Sequence, residues 1–258
     1  IDFKNFDFRT RSGYSLYLKG DYYNNDVVST SVYDNSGKRT TTYANISGTY
    51  IASVGANWNQ SIKKDANVLR YGLGINGSYS FDKGYTNAII YNAKSTAVTP
   101  KVYLTYEYGE VLNISPSYSL SYNETKYENF ARDASSNVVH RINLQTTTYW
   151  PANLIFGNDF GYNYNSNISG DFKKDFYLWN ASLSYGFFDK KLYAKVKVYD
   201  VLNQNQSATR TISATSIRDE ENTVLKRYVM FSLSYKIGNF ADSKKGRKGK
   251  QREDNERF

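Results

Sequence analysis

LNISPSYSLSY, Leu112 to Tyr122, puts Leu, Ile, Pro or Tyr at every even position and Asn or Ser at every odd one. Successive side chains of an extended strand point to opposite faces, so this alternation predicts a β-strand with one apolar and one polar face. An apolar face has to be covered, either by a second layer of protein or by lipid.

The same period recurs along the chain, while a helical period is nowhere sustained. After a partial first strand at Ile1 to Phe6, about ten strands are expected. Tyr14, Leu16, Leu18 and Tyr22 alternate with Ser15, Tyr17, Lys19 and Asp21. Ala52 to Trp58 and Leu69 to Phe81 repeat the pattern, as do Val98 to Tyr106, Ile142 to Trp150, Leu154 to Tyr162, Trp179 to Phe187, Leu192 to Val198 and Val229 to Ile237. Several of these run past ten residues, longer than the usual ~5–6 of globular strands and long enough for the ~9–11 that cross a bilayer.

The connections alternate in length. KKDAN after Ile62, YGEV at 108–111, WPAN at 150–153 and FDKK at 188–191 are short. Those near 83–96, 128–136, 166–175 and 204–222 are long, and the strands flanking the NSGK turn at 35–38 are expected to rise past the membrane as a hairpin. A meander with tight turns at one end and long loops at the other is the pattern of outer-membrane barrels. The final strand then runs toward the short-turn end, which predicts a periplasmic C-terminus.

The polar parity consists of Ser, Asn, Gly, Thr and single charges, which cannot form a dry core without many unsatisfied hydrogen bonds. It is assigned to a wet lumen, with Lys19, Arg70, Lys101, Glu107, Arg141, Asp159, Lys195 and Lys197 as its charged wall. The other parity is assigned to lipid. Tyr118, Leu120, Tyr122, Trp150, Trp179, Leu183, Tyr185, Phe231, Leu233 and Tyr235 are its expected girdle and hydrocarbon-band residues. The predicted fold class is therefore all-β, an antiparallel up-and-down transmembrane β-barrel.

Composition bounds the function. The chain of 258 residues has 40 Tyr and Phe, one His and no Cys, which excludes a disulfide framework and thiolate metal sites. His140 falls on the lipid parity near a long-loop end. A lipid-splitting Ser–His site would need a Ser or carboxylate beside it, none is evident there, and His140 is read as a belt residue. Metal-ligand spacings, phosphate loops and nucleophile elbows are lacking, so neither an enzyme nor a cofactor is expected. A formal charge of +9 raises nucleic-acid binding. However, residues 241–258 alone hold seven basic and four acidic residues, and the rest of the charge is spread without a dense patch. No nucleic-acid partner is expected. Residues 1–240 are read as the barrel segment, and 241–258 as a basic, disordered periplasmic tail.

LWNASLSY (178–185), KVYDVLNQNQSATR (197–210), LKRYVMFSLSYKI (225–237) and the opening stretch continued to Tyr127 resemble the closing strands of a TonB-dependent-receptor-like outer-membrane barrel of the Bacteroidetes type. The likeness covers residues 14–240. It implies a large barrel in the outer membrane of a Gram-negative cell, of about 22 strands. It also implies an N-terminal plug coupled to an energy-transducing TonB complex, nutrient import, and insertion by the barrel assembly machinery reading an aromatic near the last strand, for which Tyr235 or Phe240 fits better than Phe258. With about half that strand number and an abrupt start, the chain is expected to be the C-terminal half of such a barrel, its partner being the missing N-terminal barrel and plug region. The other reading left open is a structural or adhesive outer-membrane barrel without active transport.

Overall fold

The computed structural model describes residues 1–130, 133–168, 173–212 and 217–237. Among them there are strands and turns but no α-helix. The first half of the chain contains β1 (Asp2–Asp7), β2 (Ser12–Tyr23), β3 (Asp26–Tyr33), β4 (Arg39–Ile46), β5 (Thr49–Lys64), β6 (Asn67–Thr86), β7 (Ile89–Tyr108) and β8 (Leu112–Glu128). The second half contains β9 (Ser135–Thr148), β10 (Leu154–Asn165), β11 (Asp175–Phe187), β12 (Leu192–Tyr199), β13 (Ala208–Ile212), β14 (Ile217–Glu221) and β15 (Tyr228–Tyr235).

Eleven of these form one antiparallel meander in the order β1-β2-β5-β6-β7-β8-β9-β10-β11-β12-β15, which matches the expected partial strand plus ten. The hairpin β3–β4 joins the same sheet through a short parallel pairing, Thr30↔Tyr85 and Ser31↔Thr86, and β13–β14 form a separate ribbon in the last long connection. Among the described residues β1 and β15 do not pair, so the sheet has two edges. Both edge strands run toward the short-turn end.

The opening stretch lies in β8, where Tyr118 faces Val102 on one side and Ile142 on the other, while Ser119 faces Lys101 and Arg141. The two parities therefore stay on opposite faces across the register. Among the described residues only Ile46 and Ala93 are buried apolar side chains. None of the described residues covers the apolar face: Leu73 is 55 % exposed, Phe231 77 % and Leu233 73 %. A water-soluble domain of this length would hide most such side chains.

Along the strands the apolar face is aromatic, then aliphatic, then aromatic. Trp58 and Tyr71 meet edge-on at 5.5 Å near the short turns, and Tyr50 stacks on Phe81 at 5.5 Å toward the long loops. Val54, Ala56, Leu73 and Ile75 lie between them. From Tyr71 to Phe81 is ~34 Å along the strand, or ~26 Å of height at a tilt of ~40°, matching the ~25 Å apolar band of outer-membrane barrels. Above the upper tier the same parity turns charged. Lys83 sits 5.6 Å over the Phe81 ring, Lys94 pairs with Glu128, and Lys126 with Glu124 at 3.1 Å.

Three details depart from the sequence reading. The segment 83–96 is not a loop: β6 and β7 continue to a two-residue turn at Asn87 and Ala88, with φ of 49° and 65°. Both residues take the left-handed region that a primed hairpin turn needs, but Ala stands where Gly would have signalled it. Trp150, expected within its strand, falls past the end of β9 in the turn to β10, where Pro151 has no N–H to donate to a ladder. Finally, the β7–β8 ladder skips Thr99–Pro100 and Leu104–Thr105, the second gap lying beside Pro116, while the register on either side is unchanged.

On the polar face, tyrosine rings lie across glycines of the neighbouring strand. Tyr17 covers Gly55, Tyr103 covers Gly72 and Tyr91 covers Gly84, each pair directly opposed in the ladder. A Cβ on Gly72 would come within 2.5 Å of the Tyr103 hydroxyl oxygen. Gly72→Val is expected to lift that ring off the sheet and cost about 1–3 kcal/mol. A lower urea midpoint in detergent, with little change when Gly20 (open space around its Cα) is replaced by Ala, would report it.

Candidate functional site

The charged residues of the polar face are placed by register. Lys101 and Arg141 share one rung, separated by Ser119, and neither has a salt-bridge partner among the described residues. Arg70 and Glu107 pair at 2.6 Å, and Lys19 and Asp21 at 2.9 Å. Lys195 lies between Ser184 and Ser232. Lys197 lies between Ser182 and Met230, with its ammonium 4.3 Å over the Tyr199 ring, which stacks on Tyr228 at 4.5 Å. Asp159 faces Gln145 and Asn180. These eight residues share one face of the sheet but do not converge. Two pairs neutralise themselves, and the four cations without a carboxylate partner among the described residues form two groups, β7/β9 and β12.

The opposite face carries the expected girdle and band residues Tyr118, Leu120, Tyr122, Trp179, Leu183, Tyr185, Phe231, Leu233 and Tyr235, all on one parity with His140. Tyr118 Oη and His140 Nδ1 are 2.9 Å apart, and the imidazole also lies 5.5 Å from the Tyr164 ring. Trp179 Nε1 donates to Asn158 Oδ1 at 3.3 Å. A His held between two tyrosines has no hydroxyl–imidazole–carboxylate relay to work with. Among the described residues no group of His, Asp and Glu could hold a metal ion.

The long-loop end holds the arrangement that sequence reasoning missed. Asp200, just past β12, is 1 % exposed. Its two carboxylate oxygens accept from the backbone N–H groups of Gln204 and Asn205, at 2.9 and 3.0 Å, and its own N–H donates to Asn180 Oδ1 at 2.9 Å. The side chains it orders fasten the surroundings in turn. Asn203 Oδ1 accepts from the Arg227 N–H, and Gln204 Oε1 from the Tyr177 N–H. Asn205 Nδ2 donates to Leu225 O, and Gln206 Nε2 to Lys173 O. The sequence YDVLNQNQ held the signal, an acid at a strand end followed by a run of amides, but its register against β11 could not be read from the chain alone.

A second knot sits under the hairpin β3–β4. Ser31, 1 % exposed, accepts at its hydroxyl from Arg39 Nε at 3.0 Å and at its carbonyl from the Asn87 N–H. In the hairpin turn the Ser36 hydroxyl and the Lys38 N–H hold the Asp34 carboxyl below its ordinary pKa.

An uncovered apolar face with two aromatic tiers, a polar opposite face, tight turns at one end and knotted loops at the other define an outer-membrane β-barrel protein. Residues 79–235 match the model of the outer membrane protein beta-barrel family, and the chain belongs to that family. No curated protein and no solved structure matches it.

Asp200→Ala is expected to release both amide N–H groups and leave them unpaired, at about 1–3 kcal/mol each. Limited proteolysis of the folded protein should then cut within 201–227 while the strands of the main sheet stay protected.

Proposed function

We propose that the chain is the C-terminal wall of an outer-membrane receptor or transporter barrel, of the TonB-dependent-receptor-like, Bacteroidetes type. The rest of the barrel and a plug would come from outside these residues, and uptake of a nutrient or other ligand would be energised through a TonB-type complex. The observation that carries it is the direction of the edges. β1 and β15 run the same way, so an all-antiparallel barrel closes only when an odd number of further strands lies between them. Along its outer side each of β1 and β15 presents a row of N–H and C=O groups that pairs with no strand among the described residues. Each such group left unpaired in hydrocarbon costs several kcal/mol. The four closing-strand motifs quoted above support the family type.

In this reading the apolar face meets lipid and the polar face a hydrated interior, where Lys101, Arg141, Lys195 and Lys197 favour anions or the plug. The short turns and the C-terminus are periplasmic, with residues 1–240 as barrel segment. Residues 241–258, the expected basic tail, and Phe240 lie outside the described residues, and Tyr235 or Phe240 is the closing aromatic offered to the assembly machinery. A structural or adhesive barrel without transport shares the same faces.

The faces are tested by one substitution placed on neighbouring residues. Leu144→Arg puts a cation on the apolar face beside Pro116 and Phe160 and is expected to cost ~2–4 kcal/mol, lowering the heat-modifiable, folded fraction in outer membranes. Asn143→Arg, between Ser117 and Gly161, is expected to assemble normally. For function, deletion of the complete gene should impair growth on a limiting nutrient, with rescue that fails when the proton gradient is collapsed. Growth unaffected by deletion across such media, with loss of cell adhesion, would favour the second reading.

A further inference from the structure

Lys173, residues 203–207 and residues 222–226 line a cleft of about 400 Å³, within the usual size range of small-ligand sites. We propose that it binds an acidic saccharide. Its walls include Asn203, Gln204, Asn205 and Gln206, with Lys173 and Lys226 beside them. Each amide is fastened at one end only. Asn203 and Gln204 spend their oxygens on backbone N–H groups, so Nδ2 and Nε2 are left as donors. Asn205 and Gln206 spend their nitrogens on backbone carbonyls, so Oδ1 and Oε1 are left as acceptors.

Two fixed donors and two fixed acceptors suit a ligand whose groups both give and take hydrogen bonds, and sugar hydroxyls do so at every position. The Asp200 carboxylate holds the backbone under Gln204 and Asn205, so little ordering is left to be done on binding. Among the described residues the two ammonium groups have no carboxylate partner, and they call for an anion. Among the described lining residues Val224 is the one apolar side chain and none is aromatic, which gives a neutral sugar no ring to stack on and a peptide no side-chain pockets there. Arrival of the ligand from outside the cell rests on the orientation proposed above, whereas the binding itself does not.

The test uses the whole protein in detergent micelles, titrated calorimetrically with an oligogalacturonate, a neutral oligogalactose of equal length and an oligoglutamate peptide. Saturable binding of the galacturonate is expected, weakened at least about tenfold for the neutral sugar and for Lys173→Gln/Lys226→Gln. Asn205→Ala should weaken it with both lysines intact, and unaltered heat-modifiable gel mobility checks that each variant is folded. Absence of saturable galacturonate binding, equal binding by the double lysine variant or the neutral sugar, or peptide binding as tight as the sugar's would each overturn the proposal. Binding that persists in a protein shown not to transport would sink the transport reading and leave this one standing.

Discussion

The constraint from which the structure follows is that backbone N–H and C=O groups find no partner in hydrocarbon. A chain that crosses a bilayer as strands must satisfy each strand with its neighbours, and this fixes the meander from β1 to β15, with consecutive strands paired wherever only a turn or an outlying hairpin intervenes. It also explains why so little is packed in the ordinary sense. Stability comes from ladders and cross-strand pairs within one layer, and both faces are left to their surroundings. Where Pro100 and Pro116 remove donors, the β7–β8 seam loses rungs, yet the register holds because pairing resumes on both sides of each gap.

Two levels of organisation sit on that layer. Along the membrane normal, the apolar parity changes from aromatic to aliphatic to aromatic and then to charge, so Tyr71 and Phe81 on one strand bracket a height that Lys83 brings to an end. At the long-loop end, buried polar residues replace the absent core as the source of order. Asp200 and Ser31 are both 1 % exposed; Asp200 ties the turn after β12 to Asn180 of β11, and Ser31 accepts from the Asn87 N–H in the β6–β7 turn. These knots are why long connections can present defined surfaces.

Alternation made the eleven strands and the two faces legible from residues such as Leu112 to Tyr122, because parity depends on nothing but the extended backbone. The hairpin β3–β4 and the top of β6–β7 were not equally legible. β3–β4 showed through its NSGK turn, whereas the top of β6–β7 did not, since Asn87–Ala88 lacks the expected Gly and Lys83 to Thr96 lacks apolar alternation. Charge placement was legible residue by residue but not pair by pair. That Lys101 and Arg141 share a rung, while Arg70 finds Glu107, depends on register, which no single strand encodes. The Asp200 lock needed the same information, since its partner Asn180 lies on another strand.

The tyrosine rings over Gly55, Gly72 and Gly84 have a mechanical consequence. Each ring lies across the seam between two strands, and a slip of two residues, the smallest that keeps the faces, would move Tyr17 from Gly55 onto Ser53 or Asn57 and Tyr91 from Gly84 onto Asp82 or Thr86. The rings thus act as shear pins. Under a pull on one strand, they would pass load sideways from strand to strand and keep the sheet from unzipping at the first seam to feel the force.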